Sequence, residues 1–216
     1  MADTGTRTPR ERYRAQVRTE IKERAWEQIA AAGASALSLN AIAKQMGLSG
    51  PALYRYYAGR DELITELIRD AYRSLADTFA AAAAPGPDPA ALAHALRTWA
   101  LADPQRYFLL YGTPVPGYHA PGDTTAISQE IMAVLLDACA AAVPPGAETT
   151  PFAAHLDTHR QWAQGHDTPP AALHRALSFW TRLHGLLSLE LAGHFTGMGF
   201  DAEQFYAAEL ADLTRA

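Results

Sequence analysis

The stretch LSLNAIAKQMGLSGPALYRYYAGRDELI, Leu37 to Ile64, carries the reading of the whole chain. Two short segments with apolar periodicity flank Gly47-Leu48-Ser49, and Tyr54, Arg55, Tyr56 and Tyr57 crowd one helical turn just behind them. One turn points in every direction, so at most one or two of these four side chains can face a core. Tyr57 is best placed inward, which leaves Tyr54, Arg55 and Tyr56 to solvent or to a partner. Ser38 reads as the N-cap of a helix over Leu39–Met46 that turns Ile42, Ala43 and Met46 inward and ends at Gly47. Ser49 reads as the cap of the next helix, Pro51 to about Tyr56, where the missing N–H of Pro51 in the first turn costs nothing.

Upstream, Tyr13–Ala32 has Val17, Ile21, Ala25, Trp26 and Ile29 near one face, and Gly33 stops that helix. Helix, glycine, short helix, Gly-Leu-Ser turn, short helix is the pattern of a helix-turn-helix. In that geometry the second short helix enters the major groove of DNA and the first crosses the backbone. The helix starts at Ser38 and Ser49 offer free N–H groups to phosphates. Gly50 and Ala52 let the backbone approach base edges, and Pro51 presents an apolar surface to a thymine methyl. Tyr54 and Tyr56 can donate hydroxyls to phosphates, Arg55 can reach a guanine edge or a phosphate, and Arg60 can neutralise another. Residues 1–12 lack apolar periodicity and read as a flexible basic arm, whose Arg7, Arg10 and Arg12 can follow the backbone or enter the minor groove.

The charge distribution points the same way. Residues 1–60 hold ten Lys and Arg against five acids, a net +5, so the remainder carries −10 of the total −5. A basic head on an acidic body is the pattern of a chain that meets a polyanion at one end.

The quoted stretch resembles the DNA-binding domain of the TetR family of bacterial one-component regulators. Ser38-Leu39, Ile42-Ala43, Gly47-Leu48-Ser49, Ala52 before Leu53-Tyr54, the pair Tyr56-Tyr57 and the run Arg60 to Leu63 appear in the family's order and spacing. The likeness covers roughly residues 13–64. It implies DNA contacts from Ser38, Asn40, Ser49, Gly50, Pro51, Ala52, Tyr54, Arg55, Tyr56 and Arg60. Two positions depart from the pattern. Tyr56 stands where His is common, and Gly50 has no side chain at a frequent base-reading position, which shifts direct readout to Asn40, Arg55 and the arm.

Beyond Ile64 the chain reads as all-α. Alanine, leucine, glutamate and arginine favour helix, and strand-like alternation is nearly absent. A connecting helix is expected over 61–83, then a break at Ala84–Pro89 taken as the domain boundary, then helices near 89–102, 104–111, 123–142, 152–164, 169–194 and 201–214. The arrangement is thus a helix-turn-helix domain over 13–60 and a second helical domain over 84–216, about nine or ten helices in all. The segment Leu177–Asp201 resembles a Trp…His-Gly subset of the family's C-terminal domains through Trp180, His184 and Gly185, and Asp103–Tyr118 is similar to the same subset. That resemblance implies ligand binding and dimerisation by this region.

On residue grounds, the helix over 169–194 is apolar on several faces and needs cover on more than one side, which suits an isologous four-helix homodimer interface with the last helix. Trp99, Tyr107, Phe108, Tyr111, Met132, Trp162, Phe179 and Trp180 are dense enough to wall a ligand pocket between helices, with His184 as a polar group. Core packing accounts for most of them, and three or four are left for a cavity.

Other chemistries fare less well. His155 and His159 share a helical face at i, i+4 but lack a third ligand of convincing spacing, so no metal is expected. Glu190 and His194 repeat the spacing as a helix side-chain pair. No Gly-x-Ser-x-Gly, phosphate-cradling glycine loop or HExxH is present, Cys139 lies in an alanine-rich helix, and neither an enzyme nor a cofactor is expected. No apolar run spans a bilayer, no secretory signal is visible and the lone cysteine suits a reducing compartment, so a cytoplasmic chain without membrane partners is expected. The reading is a ligand-responsive homodimeric regulator, a repressor released from a double-stranded DNA operator by a small hydrophobic effector. Its alternative is a small-molecule-binding protein or enzyme in which the helix-turn-helix is only structural.

Overall fold

Helix starts in this chain are set by prolines and short polar caps. In the computed structural model, which describes residues 8–119, 121–144, 146–163 and 166–215, ten α-helices and two short 3-10 turns account for the regular structure, with no strand among the described residues. The first helix, α1 (Pro9–Ala32), begins earlier than apolar periodicity suggests. Thr8 and Glu11 form a reciprocal capping box, and Pro9 occupies the first turn. Residues 9–12, expected in a flexible arm, are therefore helical, while residues 1–7 of that arm, Arg7 among them, lie outside the described residues.

Helices α2 (Leu39–Gln45) and α3 (Gly50–Leu53) are too short to persist alone. Tertiary burial holds them: Leu39, Ile42, Ala43 and Leu53 are buried together with Val17, Ile21, Ala25 and Ile29 of α1. Full burial of a Leu or Ile contributes about 1.5–3 kcal/mol, which outweighs the poor intrinsic stability of one or two turns. Gly33 (φ 78°) and Gly47 (φ 65°) supply the positive φ that the two reversals require.

α4 (Arg60–Ala83) buries Leu63, Ile64 and Leu67 early and Leu75 and Phe79 late. The chain divides within this helix into two compact units, one reaching to Ile68 and including Pro114–His119, the other comprising Arg69–Thr113 with the chain from Ala120 onward. Ala84–Pro89 lies inside the second of these units. That segment is a turn between α4 and α5 (Pro89–Ala102), whose Leu92, Leu96 and Trp99 share a core with Leu75 and Phe79. Pro114–His119 joins the first unit, where the Tyr118 hydroxyl lies 3.0 Å from Thr65 Oγ1.

In the second unit follow α6 (Pro104–Tyr111), α7 (Gly122–Ala141), α8 (Pro151–Asp157), α9 (Pro170–Leu191) and α10 (Ala202–Thr214). Asp88, Asp103, Thr150 and Asp201 each accept a backbone N–H at a helix start. α9 is central and packs on α5, α6, α7, α8 and α10. Leu173, Phe179, Leu183 and Leu187 are buried, so much of the apolar girth read from the sequence is covered within one chain. α9 ends at Leu191, short of His194. Glu190 pairs with Arg97 of α5 (Nη2 to Oε1 2.9 Å), and Arg97 lies over the Tyr206 ring of α10. The Glu190–His194 helix pair is thus replaced by a longer-range ion pair. No helix among the described residues is long and apolar enough to cross a membrane.

Candidate nucleic-acid interface and ligand cavity

The Ser38 hydroxyl caps α2 by accepting the Ala41 N–H at 3.3 Å, and its own N–H donates to Gln28 Oε1 of α1. The Leu48 N–H closes the turn on Ala43 O at 2.9 Å. Ser49 starts α3 without a side-chain capping bond, so its exposed hydroxyl is not committed to the helix end. α3 is shorter than the expected Pro51–Tyr56. Tyr54, Arg55 and Tyr56 form a turn after it because the Tyr56 and Tyr57 N–H groups both return to Leu53 O.

Leu53 and Tyr57 are fully buried anchors. Between and before them Ser49, Pro51, Tyr54 and Arg55 are exposed, and Ala52 and Tyr56 are half-buried. Asn40 of α2 is exposed beside them, and its Oδ1 would lie 3.7 Å from a Cβ added at Gly50. The bare backbone at Gly50 and an amide able to pair with a base edge thus sit side by side. Arg10 and Arg12 are exposed in the first turn of α1.

Arg60 behaves differently from expectation. Its Nη2 donates to Ala34 O (3.0 Å) and Ser35 O (3.1 Å), so this guanidinium ties the start of α4 to the turn after α1. A donor already committed to two carbonyls is a poor phosphate ligand.

Two α1 arginines absent from the sequence-derived site do the positioning. Arg14 donates to Arg55 O, and Arg18 donates to Tyr56 O at 3.0 Å. Arg18 also lies 4.4 Å over the Tyr57 ring and forms an ion pair with Glu66, which Lys22 joins at 3.4 Å. Burial alone would raise the Glu66 carboxyl. Hydrogen bonding and charge from Arg18, with Lys22 and the Tyr57 hydroxyl, outweigh it and hold the carboxyl below its ordinary range. The sequence signal was the i, i+4 run Arg14, Arg18, Lys22, whose acidic partner lies 48 residues from Arg18.

In the second unit a cavity of about 360 Å³ has walls from Tyr72, Tyr111, Met132, Trp162, Leu177 and Trp180. Four expected ligand residues meet there: Tyr111, Met132, Trp162 and Trp180. The other aromatics are packing. Trp99 is buried and donates Nε1–H to Ser74 Oγ at 3.1 Å, Phe108 packs against the core, and Phe179 is buried in α9. Tyr107 and His184 stand behind the cavity wall. The Tyr107 hydroxyl lies 3.0 Å from His184 O, 3.2 Å from His184 Nδ1 and 2.9 Å from Ser188 Oγ. The His184 ring packs on Tyr111 and Trp180, with centroids 4.3 and 4.2 Å away. Burial lowers the His184 pKa to about 3, which makes the ring neutral at pH 7. A larger groove of about 480 Å³ near α9 and α10 has charged walls, Arg175, Arg182 and Asp212 among them, and suits an apolar ligand less well.

The exposed rings of His155 and His159 stack at 4.2 Å, and no group of three metal-ligating side chains occurs among the described residues. Asp157 is engaged by Arg160. Burial pushes the Cys139 thiol up to about 12, out of the range of a nucleophile.

Comparison with known proteins also falls into two parts. Residues 21–67 match the family described as bacterial regulatory proteins, tetR family, and residues 89–213 match tetracyclin repressor-like C-terminal domains. The HTH-type transcriptional regulator Rv1816 of Mycobacterium tuberculosis is 36% identical over 211 residues, covering 88% of this chain and 90% of that one. The regulator Mb1846 of Mycobacterium bovis matches to the same extent. Among solved structures, the crystal structure of SCO4313 is 72% identical with a TM-score of 0.88, over 95% of this chain and 98% of that one. A TetR/AcrR-family regulator from Thermobifida fusca shares the fold at 17% identity, with a TM-score of 0.58 over 93% and 98% of the two chains.

Proposed function

Because this chain belongs to the tetR family of bacterial DNA-binding transcriptional regulators, we propose that it is a homodimeric repressor that leaves a near-palindromic operator when a small hydrophobic molecule fills the α6–α7–α9 cavity. The observation that carries the DNA half is the surface around α3. Asn40, Ser49, Pro51, Tyr54 and Arg55 are exposed together while Leu53 and Tyr57 anchor the backbone beneath them. Pro51 and Ala52 approach base edges, Arg55 and Asn40 read them, and Ser38, Ser49, Tyr54 and Tyr56 hold phosphates. Arg10 and Arg12 extend the basic track along the backbone.

A dimer built on α9 and α10 supplies the second recognition helix, at a spacing of ~34–36 Å or a multiple of it. The exposed Leu189 of α9 and Phe205 of α10 are apolar groups that such an interface would cover. The chain acts where the operator is, in the cytoplasm of a bacterium.

Release requires an effector that binds better to a state in which the two recognition helices no longer match the half-sites. α4 is the element that conveys the change, because its residues belong to both units. A ~100-fold difference in effector affinity between the two states, about 2.7 kcal/mol, is enough for graded release.

The test is fluorescence anisotropy with the chain's own upstream intergenic DNA at two salt concentrations, against unrelated DNA. Tight, salt-dependent and sequence-selective binding is the expected result. If neither that DNA nor a selection from random duplexes yields a preferred sequence, the repressor reading falls.

A further inference from the structure

One arrangement of protons satisfies every hydrogen bond behind the cavity. The Tyr107 hydroxyl contacts a carbonyl, an imidazole nitrogen and a serine hydroxyl. The His184 carbonyl can only accept, so it takes the single Tyr107 proton. Tyr107 oxygen then has two lone pairs left, and Ser188 Oγ–H and His184 Nδ1–H donate into them. A neutral imidazole with its proton on Nδ1 has a bare Nε2, a pure acceptor. Nε2 is buried and has no hydrogen-bond partner among the described residues, and the same holds for the hydroxyl of Tyr111.

Two orphaned polar atoms therefore belong to adjacent rings, and one of those rings lines the cavity. An unpartnered buried polar group costs about 1–3 kcal/mol. A fold that leaves two of them in one place gains when a ligand completes them. No charged side chain lines the cavity, and its walls are mainly aromatic and aliphatic. A charged ligand would lose its hydration there without compensation.

The structure assigns to this cavity an uncharged, flat, apolar ligand bearing a hydroxyl group, which donates to His184 Nε2 and accepts from the Tyr111 hydroxyl. This rests on the reading of the cavity as an effector site. A carbonyl or ether oxygen satisfies Tyr111 alone and leaves Nε2 bare, whereas a hydroxyl does both from one atom. Both orphaned atoms are shut off from solvent. The ligand oxygen therefore enters by parting the edge-to-face contact of Tyr111 and Trp180, whose centroids are 5.8 Å apart. Tyr111 is the last residue of α6, so this entry acts directly on the end of a helix.

Equilibrium dialysis of the full chain against 2-naphthol and 2-methoxynaphthalene separates the alternatives, because the methyl ether keeps the shape and the acceptor but lacks the donor. The unaltered chain should hold 2-naphthol about tenfold more tightly, the worth of one hydrogen bond. His184→Phe should make the two affinities equal, Tyr111→Phe should weaken both compounds alike and keep their ratio, and Met132→Trp, which fills the cavity, should abolish both. Equal affinities in the unaltered chain, with both lost in Met132→Trp, would overturn the hydroxyl assignment and leave the cavity as an effector site. If neither compound binds, or if Met132→Trp changes nothing, the effector-site reading fails and the assignment falls with it. The comparison of the two compounds needs no variant, so a misfolded His184→Phe does not spoil it.

Discussion

The arginines around α3 and the rings behind the cavity of the other unit are disposed in opposite ways. Around α3, arginines are turned onto the protein itself: Arg14 and Arg18 hold the carbonyls of Arg55 and Tyr56, and Arg60 holds those of Ala34 and Ser35. Behind the cavity of the other unit, Tyr111 and His184 keep buried polar atoms without partners among the described residues. The first arrangement sets a surface in advance, so little ordering is left to do when a duplex arrives. The second leaves an unfavourable term that the proposed ligand would relieve, which is what a responsive element needs.

The sharpest way to break this comparison is to loosen the prepared surface. Leu53→Ala empties the fully buried anchor of α3 and should cost about 2–5 kcal/mol in urea unfolding, with loss of operator binding. A smaller cost with normal DNA affinity would mean that the surface is not held from beneath.

The next effect concerns acid. The His184 pKa is lowered to about 3 by burial, against 6.5 for the free side chain. Below pH 6.5 the unfolded chain binds a proton that the folded one refuses, so stability should fall as pH drops from about 6.5 towards 3. His184→Phe should flatten that part of the urea-midpoint profile. Glu66 works in the same direction at lower pH, since a depressed carboxylate stabilises above its ordinary pKa of 4.5 and the contribution is lost as pH falls through the folded value. An unchanged profile in His184→Phe would show that the ring is not a buried neutral base.

At the DNA surface, Arg55→Ala should relax the preference at one base pair by ~1–3 kcal/mol, read by competition with operator variants. Tyr54→Phe should weaken all sequences alike and by less, about 0.5–1.5 kcal/mol. Equal losses on every sequence for Arg55→Ala would move that side chain from a base edge to a phosphate.

The smallest effect discriminates best between arginines. Arg12→Ala should reduce the slope of log affinity against log salt by ~0.9, as expected for one phosphate contact, whereas Arg60→Ala should leave the slope unchanged. A lowered slope for Arg60→Ala would mean that its carbonyl partners release it on DNA.

Most helix ends were legible because their causes are local. Pro89, Pro104, Pro151 and Pro170 stand in first turns beside Asp or Thr caps or a preceding proline, and the structure begins helices at each of them. What stayed hidden depends on distance along the chain. Arg60 looks like a free cation because the carbonyls it serves are 25 and 26 residues away. The early start of α1 was hidden for another reason. Thr8 and Glu11 signal a capping box, but residues 9–12 carry no apolar stripe, and periodicity alone reads them as an arm. The aromatics of the second unit share one composition and one spacing whether they pack or line a cavity. Tyr111, Met132, Trp162 and Trp180 meet only because separate segments bring them together, and nothing in the sequence distinguishes them from Trp99 or Phe108.

Gly50 has a consequence for how such a regulator diverges after gene duplication. A side chain added there meets only Asn40 Oδ1, at an ordinary 3.7 Å, and the residue's φ is not positive. The position is thus vacant without being strained, and under the proposed docking one codon change would place a new group at the edge of the major groove while the anchors Leu53 and Tyr57 stay in place. A sister copy can acquire its own operator in a single step and stop competing with its parent.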